Sequence, residues 1–123
     1  MTVGADIAEP VEGVVRRHIE AFNAHDIDAL MDCFSEDATW ATGTDRFCGS
    51  DALRGLFAAA FGGLSPQLYL RNLLVHGDLV ACELREDYSV EDVERTDHIA
   101  GFYRVEEGLI TEAKIYREGS ADI

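Results

Sequence analysis

Two histidines stand where acid–base chemistry is possible. His18 lies in Val14-Val15-Arg16-Arg17-His18-Ile19-Glu20-Ala21-Phe22, on the side that helical spacing marks as buried. His98 shares one side of an alternating segment with Ala100 and Phe102. A neutral imidazole among apolar groups can give or take a proton near pH 7, so both are candidate catalytic groups, with His98 the expected main polar anchor. A hydrogen-bonded core residue is the plainer reading of His18, and a structural role stands beside the catalytic one for His98. Arg85 and Asp87 are two apart and share a strand face, where a guanidinium and a carboxylate could position water. Val80, Cys82 and Leu84 form the more apolar face of that strand, however. If they look inward, Arg85 and Asp87 form a solvated pair. Trp40 and Thr42 share the inward side of an earlier strand, and Thr111, Ala113 and Ile115 form the inward row of the last one. Tyr69 and Tyr88 either line a cavity or pack.

Other chemistries find no support in the pattern. His18, His25, His76 and His98 are scattered, without HExxH or paired-cysteine spacing, so no metal is expected. There is no GxGxxG, no P-loop and no nucleophile elbow, and no cofactor is expected. A net charge of −14, from 24 acidic and 10 basic residues, argues against nucleic acid and anionic membranes as partners. Cys33, Cys48 and Cys82 are odd in number, which suits reduced thiols; Cys33 and Cys82 fall on apolar periodicities. Met1 to Pro10 has neither the basic region nor the apolar core of a signal peptide, and no apolar run approaches the ~20 residues of a membrane span. A cytoplasmic location is the expectation.

The elements that must position these residues follow from periodicity. Val11, Val14, Val15, His18, Ile19 and Phe22 make the buried stripe of a first helix. Asp26 caps a second, with Ile27, Leu30, Met31 and Phe34 on its apolar side. Asp37 to Thr42 reads as a short strand. Ser50 is a candidate cap for a third helix carrying Leu53, Leu56, Phe57, Ala60 and Phe61, which Gly62-Gly63 and Pro66 end. The period then changes to two. Gln67–His76, Leu79–Ser89, Val93–Val105 and Leu109–Arg117 read as strands, turning at Gly77-Asp78 and Glu107-Gly108, with an ambiguous acidic loop near Val90–Glu94. Three helices packed in a strongly curved antiparallel sheet make a cone-shaped α+β barrel. The expected domain spans 11–118, between a flexible N-terminus (1–10) and a tail (119–123). The enclosed space would receive a small, mostly hydrophobic organic ligand. Apolar rows on the outer face, Tyr69, Leu73 and Val75 or Tyr103 and Val105, predict a homodimer.

From about Val11 to Glu118 the chain resembles the nuclear transport factor 2-like superfamily, in the branch of ketosteroid isomerase, limonene-epoxide hydrolase and the SnoaL-like polyketide cyclases. The residues that carry this are Ala21-Phe22-Asn23-Ala24-His25-Asp26-Ile27-Asp28-Ala29-Leu30, Phe34-Ser35-Glu36-Asp37-Ala38-Thr39-Trp40, and His98-Ile99-Ala100-Gly101-Phe102-Tyr103-Arg104-Val105 before Glu107-Gly108-Leu109-Ile110. The resemblance implies the cone fold and its pocket. It also implies where catalytic groups would fall. At the isomerase positions for tyrosine, aspartate base and late-strand acid stand His18, Thr42 and Ala100, so ketosteroid isomerisation is not expected. Arg85-Glu86-Asp87 resembles the hydrolase Arg-x-Asp pair, but Ile115 stands at that family's last-strand aspartate. His98 fits the penultimate-strand histidine of the cyclases, without their last-strand aspartate. Two functions remain open: a cofactor-free cyclase, isomerase or hydrolase using histidine acid–base chemistry, or a non-catalytic ligand-binding or protein-interaction domain of the same fold.

Overall fold

The structure, a computed structural model, describes residues 10–118. The expected tail at 119–123, and all of the expected flexible N-terminus except Pro10, lie outside the described residues. Helix α1 (Val11–Asn23) buries Val14, Val15, His18, Ile19, Ala21 and Phe22, the stripe its spacing predicts, and turns Arg16, Arg17 and Glu20 outward. It ends where His25 takes a positive φ of 54°. Asp26 then caps α2 (Ile27–Met31), accepting a 3.1 Å hydrogen bond from the Ala29 amide. α2 is shorter than predicted. Phe34 is not its last apolar residue but the first of strand β1 (Phe34–Thr42), which therefore starts before Asp37.

β1 turns back at Gly43 into β2 (Asp45–Cys48), a strand the sequence pattern did not mark. Helix α3 (Ser50–Gly63) follows, capped by Gly49 at a φ of 89° rather than by Ser50, whose hydroxyl donates to the Glu36 carbonyl at 3.3 Å. Strands β3 (Gln67–His76), β4 (Leu79–Val90), β5 (Val93–Glu106) and β6 (Leu109–Glu118) form the rest of the sheet. The ambiguous acidic loop is a tight hairpin: Glu91 and Asp92 both have positive φ, 51° and 66°, as a two-residue turn matched to sheet twist requires.

The six strands are ordered β2-β1-β6-β5-β4-β3. The sheet is mixed rather than purely antiparallel, because β1 runs parallel to β6, with Thr39 opposite Glu112 and Thr42 opposite Ile115. The two edges, β2 and β3, do not meet, so the cone is open rather than a closed barrel. The helices fill its concave side. Leu30, Leu53, Leu84 and Ile110 are fully buried there, each worth about 2 kcal/mol over an exposed position.

Two expectations about the outer face need correcting. Tyr103 and Val105 are 1% and 3% exposed and belong to the core. A register shift between Leu70 and Asn72 changes the alternation of β3, so that Leu73 packs against the core while Leu74 is 72% exposed. Tyr69, opposite Arg85, does face outward, whereas Val75, opposite Val80, is on the core side of the sheet and is 44% exposed near the strand end. Cys33 and Cys82 are buried, and Cys48 is exposed. Burial raises the pKa of Cys82 to about 11, against the opposing charge of Arg16.

Candidate functional site

The ladders set the inner wall in rows. Val80, Tyr103, Ala113 and Trp40 face each other across β4, β5, β6 and β1. Cys82, Gly101, Ile115 and Thr42 form the next row, Leu84, Ile99 and Arg117 the next, and Glu86 and Asp97 the last. The concave side thus grades from aromatic to charged along the strands. Between this wall and the helices lies a cavity of about 390 Å³. Leu56, Phe57 and Ala60 of α3 form its opposite side, and Leu64, Pro66 and Leu68 its rim.

At the charged end, Arg117 Nη1 donates to Glu86 Oε1 at 2.5 Å and to Asp97 Oδ2 at 2.7 Å. The Tyr88 hydroxyl donates to the same Asp97 oxygen at 3.1 Å. The Glu86 and Asp97 side chains are only 12% and 16% exposed, whereas Arg117 is 42% exposed and reaches the cluster from the edge of the cavity. Partial burial works against the Arg117 charge, but the hydrogen bonds and charges of Glu86 and Asp97 outweigh it and raise its pKa. Burial, then the Asp97 hydrogen bond and charge, raise that of Tyr88, so its phenol stays a donor at neutral pH.

The aromatic end holds His18. It is fully buried, with the rings of Phe34, Tyr103 and Trp40 centred 5.4, 5.5 and 5.7 Å away and those of Phe57 and Phe22 slightly farther. Neither Nδ1 nor Nε2 has a hydrogen-bond partner. Desolvation lowers the pKa to about 3, so the ring is neutral at pH 7. Tyr103 stays protonated for the same reason, burial, assisted by the nearby Cys82 and Glu86. Its ring leans along the strand over Gly101, where a Cβ would sit 2.7 Å from the phenol.

Four expected site residues therefore line one cavity: His18, Trp40, Thr42 and Ile115. Six do not. His98, Ala100 and Phe102 are on the outer face of β5. Their neighbours Asp97, Ile99, Gly101 and Tyr103 point inward, and the β4–β5 ladder runs unshifted from Leu79 opposite Arg104 to Val90 opposite Val93. Phe102 is 41% exposed and meets Tyr116 edge to face. Arg85 and Asp87 also face out. They pair with each other at 3.2 Å, Thr96 donates to Asp87, and the guanidinium lies over the Tyr69 ring. Ala113 is buried in the Trp40 row but is not among the cavity residues. Sequence reasoning missed Glu86, Asp97 and Arg117 as site residues. The signal for Glu86 was present, since the apolar row Val80, Cys82, Leu84 continues to it and to Tyr88. Among the described residues, no group of three or more His, Cys, Asp or Glu is placed to hold a metal ion, and no helix is long and apolar enough to cross a membrane.

Three helices in an open, curved, mixed sheet make this an α+β cone of the nuclear transport factor 2-like class. The chain belongs to the SnoaL-like domain family, whose pattern it matches over residues 15–113. Solved structures share the fold at low identity. An LEH-like epoxide hydrolase of M. tuberculosis is 17% identical, with a TM-score of 0.81 over 88% of this chain and 82% of that one. SalBIII, an epoxide hydrolase/cyclase-like enzyme in pyran ring formation in the polyether salinomycin, is 20% identical, with a TM-score of 0.81 over 88% and 90%. A protein of Catenulispora acidiphila with a ketosteroid isomerase-like fold, solved with trimethylamine, is 18% identical, with a TM-score of 0.78 over 84% and 83%. No curated protein matches the chain in sequence.

Proposed function

We propose that the chain is a cofactor-free hydrolase or cyclase that opens a strained ether, an epoxide, on a small apolar molecule. The observation that carries this is Arg117 bridging two shielded carboxylates at one end of an apolar cavity. Asp97, oriented by Arg117 and Tyr88, takes a proton from water as the water oxygen attacks a ring carbon. The carbon–oxygen bond breaks, the released oxygen takes that proton back from Asp97, and a diol leaves with the Asp97 carboxylate restored, while Glu86 helps hold Arg117 in place. If the attacking group is a hydroxyl of the substrate itself, the product is a cyclic ether. The SnoaL-like family and the epoxide hydrolase and cyclase-like neighbours support this class of reaction.

Histidine is not the proton carrier in this reading. His98 faces out, and a ring with a pKa of about 3 is a poor base at neutral pH. Ketosteroid isomerisation is not part of it either, because Thr42 replaces a carboxylate base and the inward residues beside Ala100 are Ile99 and Gly101. The same reading includes a homodimer formed through the outer face, supported by exposed Phe102 and Tyr116. Sedimentation giving only monomer at micromolar concentration would remove that part.

The test of the activity is a panel of apolar epoxides that fit the cavity, assayed for diol or ring ether. Turnover is expected in the wild type and lost in Asp97→Asn. A retained small molecule, bound tightly and released unchanged with no epoxide turned over, would make the protein a binding domain instead.

A further inference from the structure

A buried polar group without partners is costly, and folded proteins rarely keep one. His18 keeps two such atoms, Nδ1 and Nε2, inside a box of five aromatic rings. The same side chain borders the cavity. An imidazole in this place contributes nothing to packing that phenylalanine or leucine would not. Its distinguishing property is one donor and one acceptor, both unmet.

We propose that His18 is the specificity-determining contact for a neutral oxygen at the inner end of the substrate. This rests on the hydrolase reading only for where the other end of the molecule goes. The ligand class follows from the surroundings. A carboxylate or ammonium pressed against Phe22, Trp40 and Phe57 would lose its hydration with no opposite charge on His18 to replace it. A purely apolar group would leave both ring nitrogens unmet. A ketone, ether or hydroxyl satisfies one of them without burying charge. The substrate is then an elongated apolar molecule with an uncharged oxygen at its inner end and its reacting centre near Arg117. His18 is a positioning group rather than a proton carrier.

Trp40, the only tryptophan of the chain, lines the cavity 5.7 Å from the imidazole and reports occupancy by fluorescence. The probes are phenylcyclohexane, 4-phenylcyclohexanone and 4-phenylcyclohexanecarboxylate, each titrated into wild type and His18→Phe. In the wild type the ketone binds about tenfold more tightly than the hydrocarbon, and the carboxylate binds most weakly. In His18→Phe the ketone loses that advantage while the hydrocarbon binds within about twofold of its wild-type strength. An equal ketone preference in both proteins overturns the proposal, as does a carboxylate that binds best. A measurement without a variant guards against misfolding: on adding the ketone to wild type, one His18 ring nitrogen shifts in its ¹⁵N resonance. Unmoved ring nitrogens in a protein whose Trp40 signal shows it occupied also overturn the proposal. None of these readouts involves turnover. A ketone preference without epoxide hydrolysis would sink the proposed reaction and leave this contact standing, and hydrolysis without the preference would do the reverse.

Discussion

The two ends of the cavity solve opposite problems with the same strands. At the Trp40 end the wall is aromatic and the one strongly polar side chain is stripped of partners. At the Arg117 end the carboxylates are shielded, yet both accept from the guanidinium, and Asp97 also from a phenol. Shielding a charge is tolerable where an opposite charge and hydrogen bonds replace water. Shielding a neutral ring without partners costs less than shielding a bare charge, and it fixes the ring as neutral. In the proposed reading one end moves protons and the other recognises an uncharged group. Proximity to one cavity does not give two titratable residues the same work.

Four substitutions test this division. The largest effect is expected at the charged end. Asp97→Asn keeps the size but removes the proton acceptor, and should lower kcat for epoxide opening about 10²–10⁴-fold with little change in KM, measured by steady-state kinetics. A loss confined to KM would make Asp97 a binding residue.

The second effect is on stability at the other end. The folded pKa of His18 is about 3 against 6.5 in the unfolded chain, so between those values the unfolded state binds the extra proton. Stability is then complete above pH 6.5 and falls as pH drops through that window. At pH 4.5 the wild type should have lost about 3 kcal/mol more than His18→Phe, relative to each at pH 7, by urea unfolding. Parallel pH profiles for the two proteins would show that the ring is not shielded.

Third is Gly101→Ala. The new methyl would meet the Tyr103 ring at 2.7 Å and push it from its place in the cavity wall, at a cost of about 1–3 kcal/mol in denaturant melts. An unchanged melt would mean that the ring has room to move. The smallest effect is Tyr88→Phe. It removes one of the donors to Asp97 and should lower kcat only about three- to tenfold, because Arg117 still orients the carboxylate.

The fold was legible because its local signals agree. The stripe from Val11 to Phe22, the Asp26 cap, the Gly62-Gly63 stop and the alternation of the later strands each name an element by short-range chemistry. The parallel pairing of β1 with β6 was not legible, since no local pattern says which strands meet, and β2 is too short and exposed to announce itself. The site turned on parity. In β5 both alternations carry an aromatic residue: Phe102 on one, with His98 and Ala100, and Tyr103 on the other, with Asp97 and Ile99. Asp97 and Arg117 look like surface residues by type. Only the curvature that brings β6 against β5, and Arg117 toward Glu86, gives them an interior partner.

That last strand also governs how the molecule can be assembled. β6 lies between β1 and β5, so the two parts of the sheet join only when the last strand of the domain is available. Until then Phe34–Thr42 and its hairpin partner form one fragment, and β3, β4 and β5 another, each with an apolar face and an unpaired edge. Joining them brings Thr39 beside Glu112, a distant closure of the kind that slows folding. A chain emerging from its N-terminus would therefore lack its cavity until β6 has been made. Arg117, near the end of the closing strand, would be among the last parts of the wall to arrive.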